Sequence, residues 1–331
     1  MGYADAAYRV TTESLETYHS RYMKQQESLN WDCLFVTPPW VRVWLDHFKT
    51  GAATHFLTVH HGGTPVGIAP LLVRHDCASL IGGADVCDYL DAVISPGYES
   101  VFFTLIIEHL IKKGIATLDL GPLHETSPML AACIPAAETL GLPFAREEED
   151  VLFEMELPST WPGFLNSLNR KQRHEVRRKI RRLHESGRVT FRMLDDSDGI
   201  TAGLDVFFTL FRSNRTDKAA FMTDRMAAYF CDLAGAMAGQ NILRLGILEL
   251  DTRPVAAVMC FEYRGMLFLY NSGYDSRYSP LNVGTVSKIF SIKEAVRRGL
   301  KKYSFLKGAE VYKQRLGGKQ VKLFRFRICL R

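Results

Sequence analysis

A chain of 331 residues, 47% of them apolar, is long enough for two ordinary cores and too apolar for a disordered protein. Its formal net charge of +5 is modest, and most of the excess sits in residues 170–188, so no nucleic-acid footprint spreads over the whole surface. Seven cysteines, at 33, 77, 87, 133, 231, 260 and 329, form an odd set without a Cys-x-x-Cys pair or a His at zinc-like spacing. Reduced thiols in a cytoplasmic protein, and no metal site, are the expectation.

The opening MGYADAAYRV has no basic run leading into an apolar one, so no secretory leader is expected, and Ala6 stands where myristoylation wants Ser or Thr. Nowhere do eighteen apolar residues run together, which argues against a spanning helix and leaves peripheral membrane contact open. Residues 54–73 read as two strands around a Gly62-Gly63 turn. Ser95-Pro96 then leads into a helical pattern that ends at Lys112-Lys113-Gly114, and a short strand follows. Residues 168–187 form a helix with Val176, Ile180 and Leu183 on one stripe, arginines and lysines over much of the rest, and Gly187 at its end. A linker between two domains is the simplest reading of it.

From residue 242 the first pattern returns, offset by roughly 185 residues. Residues 242–263 read as two strands around Asp251-Thr252, and Pro254-Val255 matches Pro65-Val66. Ser279-Pro280 matches Ser95-Pro96, and a second helix ends at Arg297-Arg298-Gly299 before another short strand. Agreement of Pro-Val, Ser-Pro and basic-basic-Gly at nearly constant offset points to duplication. The expected division is an N-terminal domain over 1–160, a basic linker helix over 161–188 and a C-terminal domain over 189–331.

The residues TPPWVRVW (37–44), DYLD (88–91), LNRKQRHEVRRKIRRL (168–183), YNSGYD (270–275) and FLKGAEVYK (305–313), in that order, resemble the CelD-like branch of the GNAT acyltransferase superfamily, known from polysaccharide biosynthesis. More distantly, the chain is similar to the Fem-type peptidoglycan aminoacyltransferases. The family often has Asp at the positions of Ser304 and Ala309, and Trp at that of Leu316. The resemblance implies an α/β protein of two tandem GNAT-like domains, each a mixed central sheet flanked by helices. It also implies acetyl-CoA or another acyl-CoA as co-substrate, and a sugar, glycan precursor or other small molecule as acceptor.

Such an enzyme holds a diphosphate with backbone N–H groups at a helix N-terminus, and Asn282, Val283, Gly284 and Thr285 open the second helix. Transfer needs a proton for the departing thiolate and a base for the acceptor. Tyr312, just after the last core strand, is the expected acid; Glu310, then Asp275, then Asp88 are the candidate bases. Lys307 and Lys313 would meet phosphate or an anionic acceptor. In the first copy the corresponding loop, GPLHET (121–126), lacks the Tyr-Lys pair. That copy is expected to have lost the chemistry and to wall the acceptor cleft through Asp88, Tyr89, Asp91, His124 and Glu125. Two other readings stay open: a Fem-like enzyme using aminoacyl-tRNA, and a non-catalytic pair binding nucleic acid or an acidic partner through the basic helix. No Gly-x-Ser-x-Gly elbow, His-Glu-x-x-His helix or Gly-x-x-x-x-Gly-Lys loop is present, which removes the main support for hydrolase, metalloprotease and nucleoside-triphosphatase chemistry.

Overall fold

A computed structural model describes residues 8–24, 28–49, 51–83, 85–214 and 222–331; the first seven residues, on which the expectation of no leader largely rests, lie outside it. The first half runs β1 (Tyr8–Glu13), α1 (Leu15–Met23), α2 (Pro38–Phe48), β2 (Ala53–His61), β3 (Thr64–Arg74), β4 (Cys77–Leu80), β5 (Val93–Ile94), α3 (Glu99–Lys112), β6 (Thr117–His124), α4 (Pro128–Thr139) and β7 (Phe144–Glu156). Next come α5 (Trp161–Ser167), α6 (Arg170–Glu185), β8 (Val189–Leu194), α7 (Ser197–Asn214) and α8 (Asp224–Gly239). The second half closes with β9 (Leu243–Leu250), β10 (Arg253–Tyr263), β11 (Met266–Tyr274), α9 (Val283–Arg297), β12 (Lys302–Lys307), α10 (Val311–Arg315) and β13 (Lys319–Cys329).

The chain divides into two compact units, Met1–Val151 with Val321–Arg331, and Leu152–Gln320. In the first unit β1, β2, β3 and β4 pair antiparallel in turn, β4 runs parallel to β6, and β6 is closed by β13. In the second, β8, β9, β10 and β11 pair antiparallel, β11 runs parallel to β12, and β12 is closed by the end of β7. Both units therefore carry a mixed sheet with the same order of strands.

The Pro-Val steps matched in the sequence have a shared structural task. Pairing of β2 with β3 skips Val66, and pairing of β9 with β10 skips Val255, so each valine forms a bulge just after a proline that has no N–H to give. The carbonyl of each bulged valine accepts a hydrogen bond from the segment that leads into the following helix: Ser95 N–H at 2.8 Å in one unit, Asp275 N–H at 2.9 Å in the other. The bulges thus fix where α3 and α9 begin.

Two features differ from the expected division. Residues 321–331 group with the first unit because Leu323, Phe326 and Ile328 are fully buried there, and because Arg325 and Arg327 pair with Asp119 on β6. Helix α6, read as a linker, belongs to the second unit's core: Leu183 is fully buried with Leu248, Val255, Val283 and Val286. Its N-terminus is a capping box, with Asn169 accepting from Gln172 N–H and the Gln172 side chain accepting from Asn169 N–H.

Candidate active site

The second unit opens a wedge in its sheet. Strands β11 and β12 keep parallel register only over Met266–Phe268 against Lys302–Ser304, although β11 continues to Tyr274. A bulge in β11 at Tyr270, where the register with β10 shifts between Met259 and Cys260, accompanies this divergence. In the first unit the counterpart β4 has only four residues and ends one residue beyond its pairing with β6.

The connection leaving β11 is held by its own polar groups. Asp275 caps a 3-10 turn over Ser276–Leu281 by accepting from Arg277 N–H at 3.0 Å, and its carboxylate is forked by the Arg277 guanidinium at 2.6–3.0 Å. Those hydrogen bonds hold the Asp275 carboxyl below the usual range. Asn282 then takes a left-handed conformation, φ 58°, which Asn tolerates better than most residues. Its carbonyl accepts the Thr285 and Val286 N–H groups at 2.9 Å, and its side-chain oxygen accepts from Lys179 Nζ at 2.6 Å. Val283 is fully buried in the core. A Cβ on Gly284 would lie 2.6 Å from the Tyr274 ring, so packing alone demands glycine there. Of the four residues expected to hold a diphosphate, Thr285 lines the cavity described below.

The connection leaving β12 is tied by Lys313. Its buried ammonium donates to the carbonyls of Leu306 (3.0 Å), Lys307 (2.5 Å) and Gly308 (3.1 Å) and pairs with Glu310 at 3.0 Å. Leu306 and Gly308 have φ of 59° and 106°, a left-handed path that these bonds help to hold. Lys313 is therefore a structural clamp within the loop, and Lys307 contributes its carbonyl to it. Burial pushes the Glu310 carboxyl up, but the Lys313 charge and hydrogen bond outweigh it and leave Glu310 below its ordinary value.

This loop delivers Tyr312. The phenol is half-buried, with its ring 6.2 Å from Phe305 and 5.0 Å from the Lys288 ammonium, and its hydroxyl has no hydrogen-bond partner among the described residues. Burial, then the Glu310 charge, push its pKa up, so it is a protonated phenol at neutral pH. Tyr312 and Thr285 face one cavity of about 480 Å³, shared with Arg315 of α10 and with Lys171, Gln172 and Lys179 of α6. The cavity lies where the chain leaves the carboxyl ends of the two parallel strands, the usual place for a ligand in an α/β sheet. A second concavity of about 600 Å³, walled by Trp161, Phe191 and Phe290, contains none of the expected residues.

The first-copy candidates belong to the first unit. Tyr89 is buried, 5.1 Å from the Phe35 ring and 5.6 Å from that of His124. Asp91 is buried too and accepts from Ala92 N–H at 2.8 Å, with Ser127 and the Met129 amide also bonded to it at the start of α4. Glu125 accepts from Lys322 N–H at 3.0 Å, while Asp88 is half-buried. No group of His, Cys, Asp and Glu among the described residues could hold a metal ion.

Sequence reasoning missed Lys288 and the cavity's cations. Lys288 is buried on α9 beside the buried Ser287 and Ser291 and donates to Gly284 O at 2.8 Å; a lysine four residues after Gly284 was its signal. Lys171, Lys179 and Arg315 were visible only as members of basic runs.

Residues 170–314 match the family model described as an Acetyltransferase (GNAT) domain. No sequence among the curated proteins matches the chain. Several solved structures match it in fold over nearly its full length. FemX superposes with a TM-score of 0.65 at 12% identity, covering 96% of both chains. The C-terminal domain of a putative lysylphosphatidylglycerol synthetase from Agrobacterium fabrum gives 0.59 at 9% identity, covering 95% of this chain and 92% of that one. A tandem GNAT protein from the clavulanic acid biosynthesis pathway gives 0.50 at 11% identity, covering 96% and 98%. The chain thus has the fold of tandem GNAT proteins, and its residues 170–314 are similar to a GNAT-type acetyltransferase domain.

Proposed function

We propose that the protein transfers an acyl group from an acyl-CoA thioester to an amine or hydroxyl of a small-molecule or glycan acceptor. The observation that carries this reading is the unpartnered Tyr312 hydroxyl, set in the same cavity as the first turn of α9 and beside the open end of the β11/β12 wedge. A thioester lying along the wedge brings its sulfur toward Tyr312. The acceptor atom attacks the carbonyl carbon, the carbon–sulfur bond breaks, and Tyr312 gives its proton to the departing thiolate. Glu310, two residues away and ionised, takes the acceptor's proton, and solvent returns it to Tyr312. Asp275 is the weaker candidate for that base because Arg277 occupies both of its oxygens. Thr285 and the first turn of α9 receive the donor's phosphates.

Free-thiol release from acetyl-CoA, measured over a panel of amine and hydroxyl acceptors, tests the donor and the acid together. Tyr312→Phe should lower kcat by about 100-fold, in the range expected for loss of a general acid, with donor KM nearly unchanged. Unchanged turnover with an intact melting curve would refute the acid role. Failure of the wild-type protein to bind CoA by calorimetry, with binding of an aminoacylated RNA instead, would replace acyl-CoA by an aminoacyl-tRNA donor.

A further inference from the structure

The cationic charge around the cavity comes from the wrong place for a simple cofactor loop. None of Ser279–Thr285 is charged, and Gly284 is glycine because Tyr274 packs on it. The cations come from α6, through Lys171 and Lys179, and from α10, through Arg315. Lys171 and Arg315 have no ionic partner among the described residues. Lys179 is partly buried, its pKa lowered by that burial, and reaches across to the cap residue of α9. Glu175, the one acid on the cavity wall, is engaged by Arg178 at 2.8 Å. Gln172 ties the first turn of α6 to α10 by donating to Gln314 O at 2.8 Å, so the two elements bearing the cations are held together.

Resting on the acyl-CoA reading, we infer that the basic helix α6, with Arg315, grips the diphosphate of the donor and selects donors that carry one. Lys171 and Arg315 contact the phosphate oxygens directly. Lys179 is a positioning residue that fixes Asn282, and with it the first-turn amides of α9. A thioester without phosphates then loses this grip yet still fits the wedge. The arginines on the far side of α6 take no part.

The test compares two donors, acetyl-CoA and the phosphate-free S-acetylpantetheine, in wild type, Lys171→Met, Arg315→Met and the double variant, with Arg181→Met on the outer face of α6 as control. The double variant should raise KM for acetyl-CoA by about 10-fold or more, as loss of hydrogen bonds to a charged group does, and leave KM for acetylpantetheine unchanged. Inorganic pyrophosphate should compete with acetyl-CoA in wild type and not in the double variant. Equal effects on both donors, no effect on either, or an equal effect of Arg181→Met would overturn the grip while leaving the acyl-CoA reading intact. Wild-type protein that binds no CoA by calorimetry would overturn the reading, and the grip with it.

Discussion

Asp91 is a buried carboxyl group hydrogen-bonded at the start of α4 in the first unit. Burial raises its pKa from 3.8 to about 7, against the hydrogen bonds from Ser127 and from the Ala92 and Met129 amides, which favour the charged form. Between these two values the folded chain binds a proton that the unfolded chain has released, so stability falls as pH rises from about 4 to about 7 and then levels off. The gap, at about 1.4 kcal/mol per pH unit, amounts to roughly 4 kcal/mol. Asp91→Asn keeps the shape and removes the titration. Its chemical-denaturation midpoint should therefore vary less between pH 5 and pH 7 than that of the wild type, and equal slopes for the two proteins would show that Asp91 is not the group responsible.

Helix α6 shows how an element's chemistry can hide its place in the fold. Sixteen residues with so many arginines read as a solvated linker, yet Val176 and Leu183 are buried and the helix completes the core under α9. Leu183→Ala should cost about 3 kcal/mol, the loss typical of a fully buried leucine, and should raise KM for acetyl-CoA because Lys179 moves with the helix. A cost below about 0.5 kcal/mol, the level of an exposed site, would mean that α6 is a linker after all. The hairpins were legible because alternation and turn chemistry are local: Gly62-Gly63 and Asp251-Thr252 take the positive φ that such turns require. Tyr312, expected from its place after the last core strand, was legible as a residue that lines the cavity. Lys288 and the cavity's cations were not, because a cavity is made by residues as distant in sequence as 171 and 315.

At the scale of the whole chain, duplication alone suggests two halves that could be cut apart near residue 188, and the strand pairing contradicts that. Each copy's last strand closes the other copy's sheet: Leu152–Glu156 pairs with β12, and Leu323–Cys329 pairs with β6. Such pairing leaves no local trace in sequence, since β13 alternates apolar and cationic residues as any closing strand would. Its energetic weight falls on the first unit. Leu323, Phe326, Ile328 and Leu330 are all buried, and at roughly 1.5–3 kcal/mol for each buried side chain their loss rivals the whole stability of a typical domain. Arg325 and Arg327 add ion pairs to Asp119, and the Cys329 and Leu330 amides bond to Pro143 O and Ala116 O at 2.9 and 2.7 Å. A chain ending at Gln320 keeps every residue of the second unit and loses the closing strand of the first. Amide hydrogen exchange should then show β2, β3 and β6 unprotected while β9, β10 and β11 stay protected. Full protection of β6 in that truncated chain would mean that the first unit does not depend on the returning strand.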